Sequence, residues 1–587
     1  MTRQEDTHAA MQIEWDAPIE MDDGLILRAD VFRPAGPGKY PAILAYGPYA
    51  KGLSFAEGYP DAWNIMVNSH PEVAAGSSGK YQAWEVVDPE RWVPDGYICV
   101  RVDARGWGRS AGYIEPWNAR EARDIHDCIE WAGTQPWCSG KVGMLGISYY
   151  AINQWHVAGL QPPHLTAMIP WEGFADFYRD MNYHGGIGSD MMDVWYRRTI
   201  TTVQHGLGER AARNRNTGEL VAGPETLSDE QLARNRSDFP GEIRAHPLDD
   251  EFHRQRSAHW EAVIVPFLSA GNWGGSSLHL RGNVEGYVRA ASSQKWLEIH
   301  GLEHWTEFYT DYGVALQKRF FDYFLKGVDN GWNNQPRVML RVRTADGKFI
   351  DRNEDEWPIA RTRWTRAYLD TSALALSDQP LAREGRVCFA ALDSAGVTFA
   401  TPPLKHETEI TGPVAAKLFV SSSTADADLF LVLRVFRPDG SEVVFKGAVD
   451  PHTPVGHGWL RASHRKPDPA LSTEYRPYHT HDEIQPLTPG AIRELDIEIW
   501  PTSIVVPAGY RIALTVRGKD YEFEGTDAVR ELNFFKDSKL RGVGIYTHAN
   551  PNHRPASTYG GTTTLYAGGN YASYVLLPVI PPTSSKG

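Results

Sequence analysis

Cysteine is scarce in this chain: four residues in 587, Cys99, Cys128, Cys138 and Cys388, stand far apart with no C-x-x-C spacing. A zinc ribbon and a disulfide framework are both excluded by that spacing. There is no H-E-x-x-H, no glycine-rich phosphate loop and no Cys/His cluster of ligand spacing, so neither a metal nor a cofactor is expected. Lys and Arg never gather into a basic run, and the formal net charge is −14; a nucleic-acid partner is therefore not expected. Long uncharged apolar spans are missing, and the opening residues Met1–Asp6 are polar, without the apolar core of a signal peptide. The expectation is a soluble cytoplasmic protein with no membrane partner. Internal repeats and low-complexity tracts are also lacking.

What is present is the material of a large core. The chain is 42% hydrophobic and 11% aromatic, with 20 tryptophans, which excludes a disordered protein. Its length suggests about three domains. Near the start, Ala17–Met21 and Leu25–Phe32 alternate in polarity and meet at Asp22-Asp23-Gly24, a hairpin signal. Tyr40–Tyr46 and Tyr97–Asp103 are nearly continuous apolar strands of the parallel-sheet type. Between 117 and 133, Ile125, Cys128, Ile129 and Ala132 recur at helical spacing. Strands alternating with helices predict a parallel sheet covered on both faces.

The stretch Lys141–Ala151 organises this half of the chain. Val142–Leu145 is a short buried strand, Gly146 permits a close approach, and Ala151–Trp155 begins a helix at once. A serine at such a strand–turn–helix junction stands exposed at the carboxyl end of the sheet, with backbone N–H groups beside it, as in a nucleophile elbow. Ser148 is therefore the candidate nucleophile. The pattern departs from G-x-S-x-G, because position 150 is Tyr and the small residue, Ala151, comes one place later.

Taken together, Asp22–Gly24 with its flanking strands, Pro48-Tyr49, the Asp103-x-Arg105-Gly106-x-x-x-Ser110-x-Gly112 run, Gln135-Pro136-Trp137-Cys138-x-Gly140 and Gly146-x-Ser148-Tyr149 resemble the CocE/NonD hydrolases. That family includes cocaine esterase, α-amino acid ester hydrolases and X-Pro dipeptidyl peptidases. The resemblance implies that Ser148 is the nucleophile and that the Tyr49 hydroxyl and the Tyr149 backbone N–H form the oxyanion hole. His304, in the loop Gly301–Trp305 after the strand Lys295–His300, falls where the family has its base; His300 reads as a buried competitor. After Phe174 the chain turns polar and helical to about Trp260, where the family carries a helical cap. Asp176, Asp190 and Asp193 in that stretch could bind a substrate amine, although solvated charge is the commoner reason for such residues. Beyond Ala262–Ala270 the family's triad aspartate is missing, since Gly274 and Gly275 stand at its position. Glu285 or Asn272 could supply the contact, His304 could work in a dyad, or hydrolysis could have been lost.

Beyond Pro336 short runs such as Val338–Val342, Leu429–Phe436 and Ser573–Val579 recur between turn residues, as in an all-β sandwich. The resemblance implies a jelly roll. The expected architecture is an α/β-hydrolase domain over 1–171 and 261–335, a helical cap over 172–260, and a C-terminal β jelly-roll domain over 336–587. The expected activity is that of a serine hydrolase (carboxylic ester hydrolase or acylase type) cleaving an ester or amide of a small molecule through an acyl-enzyme. The alternatives are an X-Pro dipeptidyl peptidase and a catalytically silent binding protein using the jelly roll. Assembly into a homo-oligomer is compatible with the sequence and not required by it.

Overall fold

A computed structural model describes residues 4–8, 11–525 and 542–582. Its first sheet has eleven strands in the order Gln4–His8, Met11–Glu20, Ile26–Pro34, Ile98–Asp103, Tyr40–Gly47, Cys138–Ile147, Leu165–Trp171, Phe267–Asn272, Lys295–His300, Val338–Arg343 and Phe349–Glu354. From Ile98–Asp103 to Val338–Arg343 neighbouring strands run parallel. The outer pairs are antiparallel. All six residues of Ile98–Asp103 and of Phe267–Asn272 are buried, which is why these strands read as apolar runs without alternation. The expected hairpin forms between Met11–Glu20 and Ile26–Pro34, with Gly24 at φ 83° in its turn.

Helices cover the sheet. Ala119–Thr134 is capped by the Asn118 side chain, which accepts from the Glu121 N–H, and it buries Ile125, Cys128, Ile129 and Ala132 as their spacing predicts. Asp311–Lys326 starts at a Thr310 cap and stops at Gly327, whose φ of 71° is the left-handed turn glycine adopts cheaply. Residues 176–262 interrupt the sheet with short helices at Met191–Trp195, Asp229–Arg234, Phe239–Ala245 and Glu251–Arg254. They also hold a two-residue hairpin, Tyr183–His184 against Ile187–Gly188, that the polar texture of the segment conceals.

The C-terminal part is β-rich. Its eleven-stranded sheet closes on itself, because Tyr574–Ile580 pairs with both Arg363–Asp370 and Thr408–Ser422. Leu418, Leu429, Leu431, Leu433, Ile497 and Leu514 fill the interior. Past the expected boundary at 335/336, Val338–Arg343 and Phe349–Glu354 still pair into the first sheet. Val338, Met339 and Leu340 pair in parallel with Leu297, Glu298 and Ile299, and a short, half-apolar edge strand has the same texture as a barrel strand.

An apolar layer containing Trp273, Trp357, Phe430, Trp459 and Trp500 joins the two parts. Buried Arg281 spans the junction, pairing with Asp180 at 2.9 Å and Glu498 at 3.0 Å. All four cysteines are free. Among the described residues no helix is long and apolar enough to cross a membrane.

Several histidines are sealed in this interior. His184 Nδ1 meets His548 Nε2 at 2.8 Å, and His548 Nδ1 meets Asp520 at 2.7 Å. Burial pushes His184 down to about 3 and His457, His464 and His479 down to about 4. A group with a depressed histidine pKa binds protons more readily when unfolded, so its stabilisation is complete above the unfolded value near 6.5 and is lost as pH falls from there toward 4. His300 and His304 have the opposite sign. Burial opposes their charge but neighbouring carboxylates raise both to about 10, so their contribution is complete below about 6.5 and gone above about 10. Urea unfolding midpoints measured against pH should therefore peak near pH 6.5 and fall on both sides, each buried neutral histidine adding a slope of about 1.4 kcal/mol per pH unit on the acid side. A flat acid limb would show that these rings are already charged in the folded protein.

Candidate active site

Five residues from separate elements converge at the carboxyl edge of the first sheet. Ser148 leaves the strand Cys138–Ile147 at φ 58° and ψ −115° and heads the helix Tyr149–Ala158. This strained backbone costs about 1–3 kcal/mol and persists because its surroundings over-determine it. The Ser148 N–H donates to the carbonyls of Trp171 at 3.2 Å and Glu172 at 3.1 Å. The close approach that the elbow needs is met at Gly146, where a Cβ would lie 2.4 Å from the Tyr150 Cβ, and at Gly173, where one would lie 2.6 Å from the Ala151 Cβ. The small residue displaced from position 150 is thus replaced by the Ala151–Gly173 contact.

Glu172 follows the next strand, Leu165–Trp171, and is fully buried. Its Oε2 accepts from His304 Nδ1 at 2.7 Å, while Oε1 accepts from His300 Nε2 at 3.0 Å and from Asn272 Nδ2 at 3.2 Å. Burial alone would raise this carboxyl, but the His304 and His300 charges outweigh burial and hold it down to about 2. His304 stands in the loop after Lys295–His300, its N–H bonded to the Ala448 carbonyl at 2.9 Å and its ring stacked on His279 at 5.2 Å. Its Nε2 lies 3.1 Å from Glu85 Oε1. Burial raises Glu85 to about 6 against the pull of His304.

Tyr49, Ser148 and His304 line one cavity of about 50 Å³ together with Glu85. Met191 and Trp195 reach it from the inserted segment, and Val449, Ile545 and Tyr546 from the C-terminal part. The Tyr149 side chain points elsewhere, its hydroxyl donating to Glu121 at 2.8 Å. Its backbone N–H opens a helix, where no intrahelical acceptor exists. Among the described residues no group of three or more His, Cys, Asp or Glu side chains is arranged to hold a metal ion.

The remaining candidates lie outside the cavity. Glu285 pairs with Arg476 at 2.9 Å and does not reach His304. Asn272 props Glu172 and the Leu302 carbonyl rather than the imidazole. Asp176 pairs with Arg179, Asp193 with Arg244, and Asp190 accepts from the Ala549 N–H, so none of the three is presented to Ser148. His300 is enclosed between Glu298 and Glu172. Sequence reasoning missed Glu172 and Glu85. A carboxylate directly after an apolar strand and before a glycine was a readable signal for Glu172; Glu85 sits in a long irregular connection that carries none.

A serine on a strand–helix elbow beside a carboxylate-bound histidine, on a doubly covered parallel sheet, defines a serine hydrolase of the α/β-hydrolase fold. Residues 23–306 match the X-Pro dipeptidyl-peptidase (S15) family, and residues 330–576 match the X-Pro dipeptidyl-peptidase C-terminal non-catalytic domain. The crystal structure of a CocE/NonD family hydrolase from Staphylococcus aureus is 31% identical, with 97% of this chain and 94% of that one covered at a TM-score of 0.81. Cocaine esterase from Rhodococcus sp. (strain MB1 Bresler) is 25% identical over 583 residues, 86% of this chain and 90% of that protein. An α-amino acid ester hydrolase structure at 16% identity shares the fold at a TM-score of 0.64, over 98% of this chain and 96% of that one. The chain belongs to the CocE/NonD family of hydrolases.

Gly274 cannot accept the family's aspartate, because a Cβ there would stand 2.3 Å from the Gly447 Cα of the C-terminal part. Gly275 is tight but less so, since a Cβ there would stand 3.2 Å from the Asn272 carbonyl, which would have to give slightly. Since His304 Nδ1 is already engaged, Gly275→Asp should leave p-nitrophenyl ester turnover no faster than wild type. A rise in kcat in the folded variant would mean that Glu172 does not hold the imidazole in solution.

Proposed function

We propose that this protein is a cofactor-independent serine hydrolase that cleaves an ester or amide of a small acyl group through an acyl-enzyme. The observation that carries this is the 2.7 Å bond to buried Glu172 made by His304, whose ring lines a cavity with Ser148 and Tyr49. Ser148 Oγ attacks the carbonyl carbon as His304 Nε2 takes its proton. The developing oxyanion is held by the Tyr49 hydroxyl and the Tyr149 N–H, each such donor being worth about 2.7–4 kcal/mol of transition-state stabilisation. His304 then returns the proton to the leaving alkoxide or amine, and water repeats the sequence on the Ser148 ester to release a carboxylate. Glu172 fixes the tautomer and compensates the imidazolium; this is the role left open by Gly274 and Gly275.

The X-Pro dipeptidyl peptidase reading rests on the family match over 23–306. Comparing p-nitrophenyl butyrate with Ala-Pro-p-nitroanilide separates the two, faster ester cleavage being expected. We read the C-terminal part as a jelly roll that walls the site. On this reading the hydrolase domain spans 1–171 and 261–354, with the cap over 172–260. Free cysteines fit a cytoplasmic setting.

A fluorophosphonate should label Ser148, and Ser148→Ala should abolish both label and turnover. Glu172→Gln should lower kcat by roughly 10²–10⁴ with KM little changed, whereas Glu285→Gln should stay within about threefold of wild type. Near wild-type kcat in Glu172→Gln would remove it from the mechanism. EDTA should leave the rate intact; a loss restored by zinc would overturn the scheme.

A further inference from the structure

The nitrogen that must take the Ser148 proton is already occupied. Glu85 lies 3.1 Å from His304 Nε2 while Glu172 holds Nδ1 at 2.7 Å. An imidazole with a carboxylate on each nitrogen donates from both, so it carries two protons and has no lone pair to offer. Such a ring is an acid, not a base.

The backbone puts Glu85 there. Its φ is 61°, an unfavourable value for a residue with a side chain, and its carbonyl accepts the Ile147 N–H at 3.0 Å, one residue before the nucleophile. Only 2% of Glu85 is exposed, so water cannot take its place beside the imidazole without a movement of the side chain.

We propose that Glu85 is a positioning residue that blocks the base: it keeps His304 doubly protonated in the resting enzyme, and Ser148 becomes nucleophilic only when Glu85 releases Nε2. The proposal rests on the assignment of Ser148 and His304 given above. When the Nε2 proton leaves to solvent, the bare nitrogen lone pair repels the Glu85 carboxylate, and the Ser148 hydroxyl donates in its stead. Burial opposes charge on His304, but Glu172 and then Glu85 outweigh it and lift the ring to about 10.

Of the other groups facing this pair, His279 stays neutral and the tyrosines stay protonated. His279, stacked on His304, is pushed well down by burial and by the neighbouring imidazolium. Tyr49, Tyr59 and Tyr150 are pushed up by burial and by the Glu85 charge, as are Tyr309 and Tyr546 around the same carboxylate. Behind Glu172, His300 is held charged by Glu298 and Glu172 against burial. His300 is raised to about 10 like His304, but only His304 lines the cavity with Ser148, so the proton whose loss frees a base beside that serine is the one between His304 and Glu85.

The test is the pH dependence of kcat/KM and of fluorophosphonate labelling at Ser148 in wild type and Glu85→Gln, from about pH 6 to about 10. Wild type should rise with an apparent midpoint well above the ordinary histidine value near 6.5. Glu85→Gln should shift that limb down by at least about one unit, which raises kcat/KM at pH 7 about tenfold, with KM within about threefold. A wild-type limb at the ordinary value overturns the proposal without any variant, and so decides the matter even if Glu85→Gln fails to fold. Coincident limbs in the two proteins overturn it, as does a folded Glu85→Gln that is inactive at every pH. Absence of adduct on Ser148 at any pH overturns the underlying site assignment, an outcome distinct from labelling with an unshifted limb.

Discussion

A buried chain of alternating charge, Glu85–His304–Glu172–His300–Glu298, ties the catalytic edge together. Each carboxylate or imidazolium taken alone into this interior would be severely destabilising, and each is tolerated because the next link compensates it. The chain crosses the irregular connection before Ile98–Asp103, the end of Leu165–Trp171, the strand Lys295–His300 and the loop after it. Removing one member strands a buried charge, at a cost of about 3–5 kcal/mol. The network therefore ties four segments into one register.

The relocation of the acid follows from how the two halves of the molecule meet. The Gly274 carbonyl accepts from the Ala448 N–H at 3.1 Å, and the Ala448 carbonyl accepts from the His304 N–H at 2.9 Å. A side chain at Gly274 would drive Gly447 away and with it the backbone contact that positions the His304 loop. With that place taken by main chain, the carboxylate reaches Nδ1 from the strand beside the nucleophile instead. Asn272, at the end of the strand that would otherwise carry the acid, becomes a brace for Glu172. The C-terminal part, non-catalytic by family, thus shapes the catalytic geometry through three backbone groups.

Much of this was legible in the residues, and the failures have specific causes. Unbroken apolar strands, the Gly146–Ala151 elbow and the capped helices are local signals, and each matches its place in the structure. His304 follows from chain order after a strand. Glu172 is hidden in the sequence because it stands at the end of Leu165–Trp171, one strand away from the place where Gly274 and Gly275 leave the acid missing. The pairing of Val338–Arg343 with the first sheet is not readable from its residues, because six largely apolar residues look alike near the margin of a parallel sheet and in a closed β domain. Glu85 could not be found by period or motif: its position depends on a positive φ inside a connection with no regular structure.

Size adds a last constraint. A cavity of about 50 Å³ holds a few waters, whereas sites for drug-sized ligands are commonly about 300–1,000 Å³. Its floor is fixed, because Ser148, Glu85 and His304 are bonded into the sheet and the charge network. The remaining walls are Met191, Trp195 and Thr199 from the inserted segment, and Val449, Ile545 and Tyr546 from the C-terminal part. Trp195 is hydrogen-bonded to the side chain of Tyr49, just beyond the strand Tyr40–Gly47, so the inserted segment is tied to the sheet at the edge of the cavity. The cavity's variable walls thus come from two surfaces outside the first sheet, while its floor lies within that sheet. Those surfaces can change without touching the buried chain of charge beneath them.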